Sequence, residues 1–373
     1  RYYAGKCGPD FACGAASLSN LWSDIDQTYR GEPLAELSCS YSDHAVWQEA
    51  RITEADQEFW LDHLGLDAGP VDLPLPAPAT SSRDGYLTVT LGTDQSALTA
   101  MGERPTPFFL SVFAALLQRY TDTDDVVVGV TASTRDHPAV RDLVGYFLTI
   151  LPLRLPVDLS RSPSETARAT DRLLASALLH RHVPYATIAA ALRQQGADQP
   201  DPARVMFVYD EPHQASVQGI DVEARIIHPE VSVTDLTLFV RPKDTGFEVS
   251  VEWDGRRYRG ADIDHLVAEF VRMAEWAVSH PGSPWSGLPH PSDVQGPSLN
   301  RPIEPIPSLI ERQVRTNPHG PAVRCGTQRL TYAELGDRAA WIAAGLAERG
   351  VGRGDRVGVL LPRSTDLLAT ILG

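Results

Sequence analysis

Cys13 is the residue whose type and position most directly suggest chemistry in this sequence. It sits in the run Gly8-Pro9-Asp10-Phe11-Ala12-Cys13-Gly14, which feeds a predicted helix. A thiol at a helix N-terminus can have a lowered pKa and act as a nucleophile. A small residue in a tight loop is the plainer reading of the same cysteine. With Cys7, Cys39 and Cys325 it forms no C-x-x-C pair and no metal-ligand spacing, so the four read as reduced thiols and no metal is expected. His180 and His182 hint at a metal pair, but residues two apart do not share a helical face. A helix-end cap or a surface histidine explains them better. Gly350-Val-Gly-Arg-Gly354 has a phosphate loop's composition, yet it precedes a predicted strand instead of joining strand to helix, so it reads as a turn.

The elements that must position these residues follow from periodicity. Leu18, Leu21, Trp22, Ile25 and Tyr29 share one helical face over about Ala15 to Tyr29. A second helical stretch is predicted around Tyr41 to Trp60, and Pro70 to Gly85 reads as an internal crossing loop. Thr106 and Pro107 are read as N-cap and first turn of a helix whose Phe108, Phe109 and Phe113 belong to the core. Val126 to Val130 has the continuous apolar character of a strand covered on both faces. Ser162-Pro-Ser-Glu165 is a capping box with proline at the first helical position. Strands are predicted at Arg204 to Tyr209, Leu236 to Val240 and Phe247 to Trp253, the last with a wet face of Glu248, Ser250 and Glu252. A helix from about Asp262 to Val278 closes this region. The prolines between Pro281 and Pro305 mark a partly stiff linker. After it come a helix near Ser308 to Arg315, a hairpin around Cys325-Gly326, a capping box at Thr331 to Glu334 and its helix, a strand at Arg356 to Leu361 and a helix from Ser364.

Composition sets outer bounds. The 373 residues, 43% hydrophobic, suffice for two or three globular units. A net charge of −15 disfavours nucleic acid and anionic membrane surfaces as partners. No run is apolar enough to span a bilayer and the start has no secretory signal, so the cytoplasm is the expected compartment.

Five segments in order now resemble one family: Tyr41-Ser-Asp-His-Ala-Val-Trp-Gln48, Asp124-Asp-Val-Val-Val-Gly129, Val144-Gly-Tyr-Phe-Leu-Thr-Ile-Leu-Pro-Leu-Arg154, His182-Val-Pro-Tyr185 and Val205-Met-Phe207. They look like successive landmarks of the condensation domains of non-ribosomal peptide synthetases. Leu330-Thr-Tyr-Ala-Glu-Leu335 and Gly354-Asp-Arg-Val-Gly358 are similar to the opening of adenylation domains. The resemblance implies an α/β fold, a chloramphenicol-acetyltransferase-like two-lobed condensation domain with an incomplete N-lobe, then the first α/β elements of an adenylate-forming domain. It divides the chain into residues 1–280, a linker at 281–305, and 306–373. It implies a substrate tunnel, with Tyr146 and Thr149 as lining residues, entered by phosphopantetheine arms of carrier proteins. The chain itself then needs no cofactor; ATP and Mg belong to a complete adenylation domain. Implied partners are carrier proteins, neighbouring synthetase domains and a trans-acting tailoring enzyme. The implied setting is secondary-metabolite, including antibiotic, biosynthesis.

The family's motif of two histidines, three variable residues, aspartate and glycine aligns on Gly8, Pro9, Asp10, Phe11, Ala12, Cys13 and Gly14. Both histidines and the aspartate are missing. By the resemblance, that aspartate pairs with an arginine of the facing lobe, for which Arg135 is the candidate. With Cys13 opposite it, Arg135 needs another partner, and Asp136 is the nearest choice. Three readings stand open: a fold kept as spacer or docking platform, amide formation driven by positioning without a base, and a reactive Cys13. A fourth assigns the parent protein as an amino-acid-activating module.

Overall fold

The computed structural model describes residues 15–76, 78, 84–93, 95–197, 201–210, 217–219, 232–289, 306–325, 328–352, 354–362 and 364–373. They divide into two compact units, Arg1–Pro289 and His290–Gly373. The Gly8 to Gly14 loop, Cys7 and residues 290–305 of the proline-rich stretch lie outside the described residues.

The first unit opens with α1 (Ala15–Tyr29), as the apolar spacing predicts. The stretch expected to be helical around Tyr41 to Trp60 is two helices, α2 (Tyr41–Ala50) and α3 (Glu54–Leu64). The break has a local cause. Thr53 is extended and forms a capping box with Asp56, so a second helix starts where the first frays at Arg51. Strand β1 (Gly85–Leu91) and the short helix α4 (Gln95–Ala100) follow. Helix α5 (Pro105–Thr121) starts earlier than expected: Pro105 occupies its first turn, and the cap is Arg104, which makes no side-chain cap bond. Its residues from Pro107 to Leu117 are all buried.

The remaining elements are β2 (Asp125–Ser133), a 3-10 turn at Pro138–Val140, β3 (Leu148–Pro156), α6 (Pro163–Leu179), α7 (Tyr185–Gln194), β4 (Val205–Tyr209), β5 (Leu236–Pro242), β6 (Phe247–Trp253) and α8 (Gly260–Ser279). The strands form one six-stranded sheet in the order β1-β6-β5-β4-β2-β3. β4 is parallel to β2 and β5, and the other neighbours are antiparallel. The wet face predicted for β6 is narrower than expected: Ser250 is buried and meets the Thr88 hydroxyl across β1, because β6 is an interior strand.

Helices α5 and α8 hold the sheet's core together through aromatic contacts. Phe109 meets Phe247 and Phe270, and Phe113 meets Phe207 and Phe270, all with buried rings. Each such burial contributes roughly 1.5–3 kcal/mol. Trp285 is also fully buried and donates its indole N–H to Thr166 Oγ1 at 3.1 Å, so the chain through Leu288 packs into the core of this unit.

The second unit contains α9 (Ile306–Thr316), the hairpin β7 (Pro321–Cys325) and β8 (Gln328–Thr331), α10 (Tyr332–Ala347) and α11 (Thr365–Leu372). Thr331 and Glu334 form the expected capping box. The strand expected at Arg356 to Leu361 is absent; these residues are irregular and Leu360 is almost fully exposed. An extended apolar run becomes a strand only beside a partner, and none of the described residues pairs with it.

Candidate active site

The capping box of Ser40 and Asp43 fixes the start of α2, and helical spacing then places Tyr41, His44, Trp47, Gln48 and Arg51 toward one side. That side faces the chain between β2 and β3. Tyr41 donates its hydroxyl to Tyr146 O at 2.8 Å, and its ring lies edge-on to Phe147 at 5.2 Å. Gly145 permits this approach: a Cβ there would lie 2.5 Å from Tyr41 Cδ2 and 3.1 Å from Phe147 Cε2. Thr134 N–H donates to Phe147 O, which closes the loop over its own ends.

Arg135 is the centre of this loop. Its Nη1 donates to Val140 O at 2.6 Å and Arg141 O at 3.1 Å; its Nη2 donates to Leu143 O at 2.7 Å and to Ser17 Oγ at 2.6 Å. The guanidinium carbon sits 3.9 Å from the centre of the Phe147 ring. Burial pulls the Arg135 pKa down from its usual value, with Asp142 opposing, and an arginine so placed stays charged. Ser17 completes the latch: its hydroxyl donates to Gly145 O at 2.6 Å and accepts from Gly145 N–H at 3.1 Å. Asn20, one turn on, donates to Arg141 O and Leu143 O. The first turns of α1, immediately after the Gly8 to Gly14 loop, are thereby sewn to the Arg135 loop.

Asp136 is therefore not the partner of Arg135, contrary to expectation. Successive residues in an extended turn point apart, and Asp136 faces the other way into a separate hub. Its Oδ2 takes Arg51 Nη1 at 3.1 Å, His182 Nε2 at 3.4 Å and Arg181 Nη2 at 3.6 Å. Arg51 also lies over the Trp47 ring, 4.5 Å from its centre. Around Trp47 stand His44 at 5.5 Å, His137 at 5.8 Å and His182 at 6.4 Å between ring centres.

His180 and His182 divide. His180 is the residue ending α6, as a cap reading predicts, with Nδ1 2.7 Å from Asp56 Oδ1. Burial raises Asp56, but the bonds from Thr53 and His180 outweigh it and hold the carboxyl below its ordinary value. His182 is buried, not a surface residue. Among the described residues no cluster suits a metal ion, and Cys39 is a free thiol. Tyr146 is half-buried and contributes its carbonyl to Tyr41, while Thr149 is buried on β3 opposite Ala132. The candidate positions Gly8, Pro9, Asp10, Cys13 and Gly14 lie outside the described residues.

The sequence reading missed Ser17, Asn20, His44 and the Asp136 hub. A signal for His44 existed: with Trp47 and Arg51 it repeats at helical spacing on one face. Ser17 carried none, since it is one of several small residues opening α1.

Residues 14–299 match the Condensation domain family and residues 310–373 match the AMP-binding enzyme family. Surfactin synthase subunit 1 of Bacillus subtilis (strain 168) is 25% identical over 380 residues; the alignment covers 95% of this chain and 11% of that protein. The chain thus spans a small part of the curated relatives it matches. A four-domain nonribosomal peptide synthetase in its holo form, bound to AMP and glycine, superposes with a TM-score of 0.65 at 18% identity, over 97% of this chain and 30% of that one. The X-domain from teicoplanin biosynthesis, in its complex with OxyB, superposes with a TM-score of 0.62 at 20% identity, over 75% of this chain and 68% of that one. These superpositions agree with the α/β fold of condensation domains that the ordered segments imply. The family match over most of the chain and the shared fold carry the same conclusion: this chain belongs to the condensation-domain family of nonribosomal peptide synthetases and runs on into the start of an AMP-binding enzyme.

Proposed function

We propose that the first unit joins two carrier-bound acyl groups by an amide bond. The amine of the acceptor attacks the donor thioester carbonyl, the carbon–sulfur bond breaks, and the amine's proton ends on the departing thiolate. The observation that supports this reading is the Arg135–Ser17 latch. It holds the segment following the Gly8 to Gly14 loop in a fixed register against Gly145, using a charged donor and neutral oxygens where a carboxylate is missing. A half-buried guanidinium that spends four hydrogen bonds on one loop orders that loop, which supports a retained chemical role over a spacer. Positioning of this kind lowers a bimolecular barrier by about 7–11 kcal/mol when the reacting groups are well aligned.

In this reading the partners are aminoacyl and peptidyl carrier proteins with their phosphopantetheine arms, and the substrate tunnel includes Tyr146 and Thr149. The working compartment is the cytoplasm; among the described residues no helix is long and apolar enough to cross a membrane. ATP and Mg serve the complete adenylating domain, whose opening residues form the second unit. The proposed division is residues 1–280, a linker at 281–305, and 306–373, with the start of that linker, through Leu288, packed into the first unit.

The test is single-turnover condensation by the synthetase module containing this chain, loaded with donor and acceptor aminoacyl carrier proteins and read by mass spectrometry. Wild type is expected to form the dipeptidyl product, and Pro9→His with Cys13→Asp to form it faster. Absence of product from wild type, with product from the repaired variant, would overturn the reading. A second reading is a docking platform for a tailoring enzyme, favoured by the missing histidines and by the fold shared with an X-domain that forms a complex with OxyB. It predicts calorimetric binding of such an enzyme by a module that makes no product.

A further inference from the structure

Polar atoms buried without a hydrogen-bond partner are rare and call for a physical reason. Among the described residues half of the side-chain atoms of this kind belong to one cluster: both ring nitrogens of His44, Nδ1 of His182 and Nε of Arg181. The others are scattered over Glu103, Gln118, Asp235 and Tyr258. His44 and His182 flank the same Trp47 ring, and Arg181 adjoins His182. Leaving such groups unpaired costs about 1–3 kcal/mol each.

The donors and acceptors left over are those of a proton-handling site. His182 Nε2 lies 3.4 Å from Asp136 Oδ2, a contact that favours the tautomer with its proton on Nε2 and a lone pair on Nδ1. An imidazole held in one tautomer by a carboxylate is the arrangement in which a base is oriented for proton transfer. His44, neutral, has one nitrogen to give a proton and one to take it.

Burial, more than the charges around them, disfavours protonation of both rings. Burial lowers the affinity of His44 for a proton, Arg135 pushes the same way, and Asp136 opposes. Burial does the same for His182, with Arg51 and Arg181 adding to it and Asp136 and Asp56 opposing. His137 stands on the Trp47 ring, and His180 is engaged with Asp56. The cluster lies directly behind the latch: the His44 ring is 4.8 Å from Phe147, the ring on which Arg135 rests.

We propose that His44 and His182, oriented by Asp136, form the proton-accepting group of this condensation domain, supplying from behind the Arg135 latch the imidazole that the Gly8 to Gly14 loop lacks. The proposal rests on the condensation reading above. As the nitrogen–carbon bond forms and the carbon–sulfur bond breaks, the amine's proton passes to an imidazole of the cluster and on to the departing thiolate. The products are a neutral amide, a free thiol and the neutral imidazole restored.

The test is the pH profile of single-turnover condensation by the intact module, for wild type, His182→Gln, His44→Gln and Asp136→Asn. Glutamine keeps a hydrogen-bonding side chain at each ring position and cannot take up the proton. His182→Gln and His44→Gln are expected to lose about 10²-fold or more in rate, a typical share for a general base, with thermal melting close to wild type. In Asp136→Asn the charge that raises both imidazoles is gone, so the acid limb moves to lower pH while the plateau falls. Unchanged rates and an unmoved acid limb in all three variants, with wild type active, overturn the proton-accepting role alone. No product from wild type overturns the condensation reading and this role together. If a glutamine variant fails to fold, the position of the Asp136→Asn acid limb decides.

Discussion

The interface between α5, α8 and the sheet and the region around Arg135 and Asp136 are built on opposite terms. In the first, every side chain from Pro107 to Leu117 is buried, and the contacts are aromatic and aliphatic. In the second, a half-buried guanidinium, an aspartate receiving two arginines and an imidazole, and a second imidazole share a small volume, with four polar atoms unpaired. Apolar burial is non-directional and supplies the stability. Hydrogen bonds to a charged group are directional, and their net worth is small beside the cost of leaving one unmade. The difference shows where this chain keeps its fold and where it keeps its geometry for chemistry.

The contrast is broken most forcefully from the apolar side. Phe109→Ala removes a ring that touches Phe247 and Phe270, and unfolding in urea is expected to lose about 3–5 kcal/mol. A loss below about 1 kcal/mol shows that the interface is not packed as described.

Next comes a histidine outside the hub. His63 Nε2 accepts Arg154 N–H at 3.0 Å, and burial, with help from the Arg154 charge, lowers its pKa to about 4. The folded value lies below the unfolded one, so this stability is complete above about pH 6.5 and is lost as pH falls toward 4. Denaturant titrations at pH 7 and pH 4 should show His63→Gln losing less on acidification than wild type, by up to about 3 kcal/mol. Equal losses in the two proteins remove His63 from the account.

Much of the apolar region was legible in the sequence. The run Val126 to Val130, the alternation from Phe247 to Trp253 and the capping boxes at Ser162 and Thr331 each appear where local pattern places them. Local pattern also hid some features. Thr53 and Asp56 cap α3 with an aspartate at the third position, so two helices read as one. Arg356 to Leu361 has a strand's composition, but a strand depends on a neighbour that pattern does not supply. The polar region was legible only as separate landmarks. Tyr41 to Gln48, Val144 to Arg154 and His182 to Tyr185 were picked out individually. That they converge on Asp136 and Arg135 follows from chain topology, since Arg51 and Asp136 are 85 residues apart. Ser17 could not be foreseen from a pattern that asks for an aspartate at Cys13.

Smaller substitutions sharpen the polar side. Gly145→Ala forces the Tyr41 and Phe147 rings apart, and a melting shift equivalent to about 1–3 kcal/mol is expected. Turnover should fall more than stability does, because Ser17 loses its place between the Gly145 N–H and carbonyl. Arg51→Met is expected to cost less than about 1 kcal/mol, since Arg51 is 41% exposed and such pairs are weak. A larger cost from Arg51 than from Gly145 would reverse the ranking of latch over hub.

The most direct measurement of the central claim is a double-mutant cycle on the single-turnover condensation rate, using Arg135→Met, Ser17→Ala and both together. If the guanidinium works through the Ser17 hydroxyl to hold the start of α1, the double variant loses less than the product of the two single losses, because their shared hydrogen bond is removed only once. Losses that simply multiply, with each substitution acting independently of the other, contradict the latch as the device that organises this site.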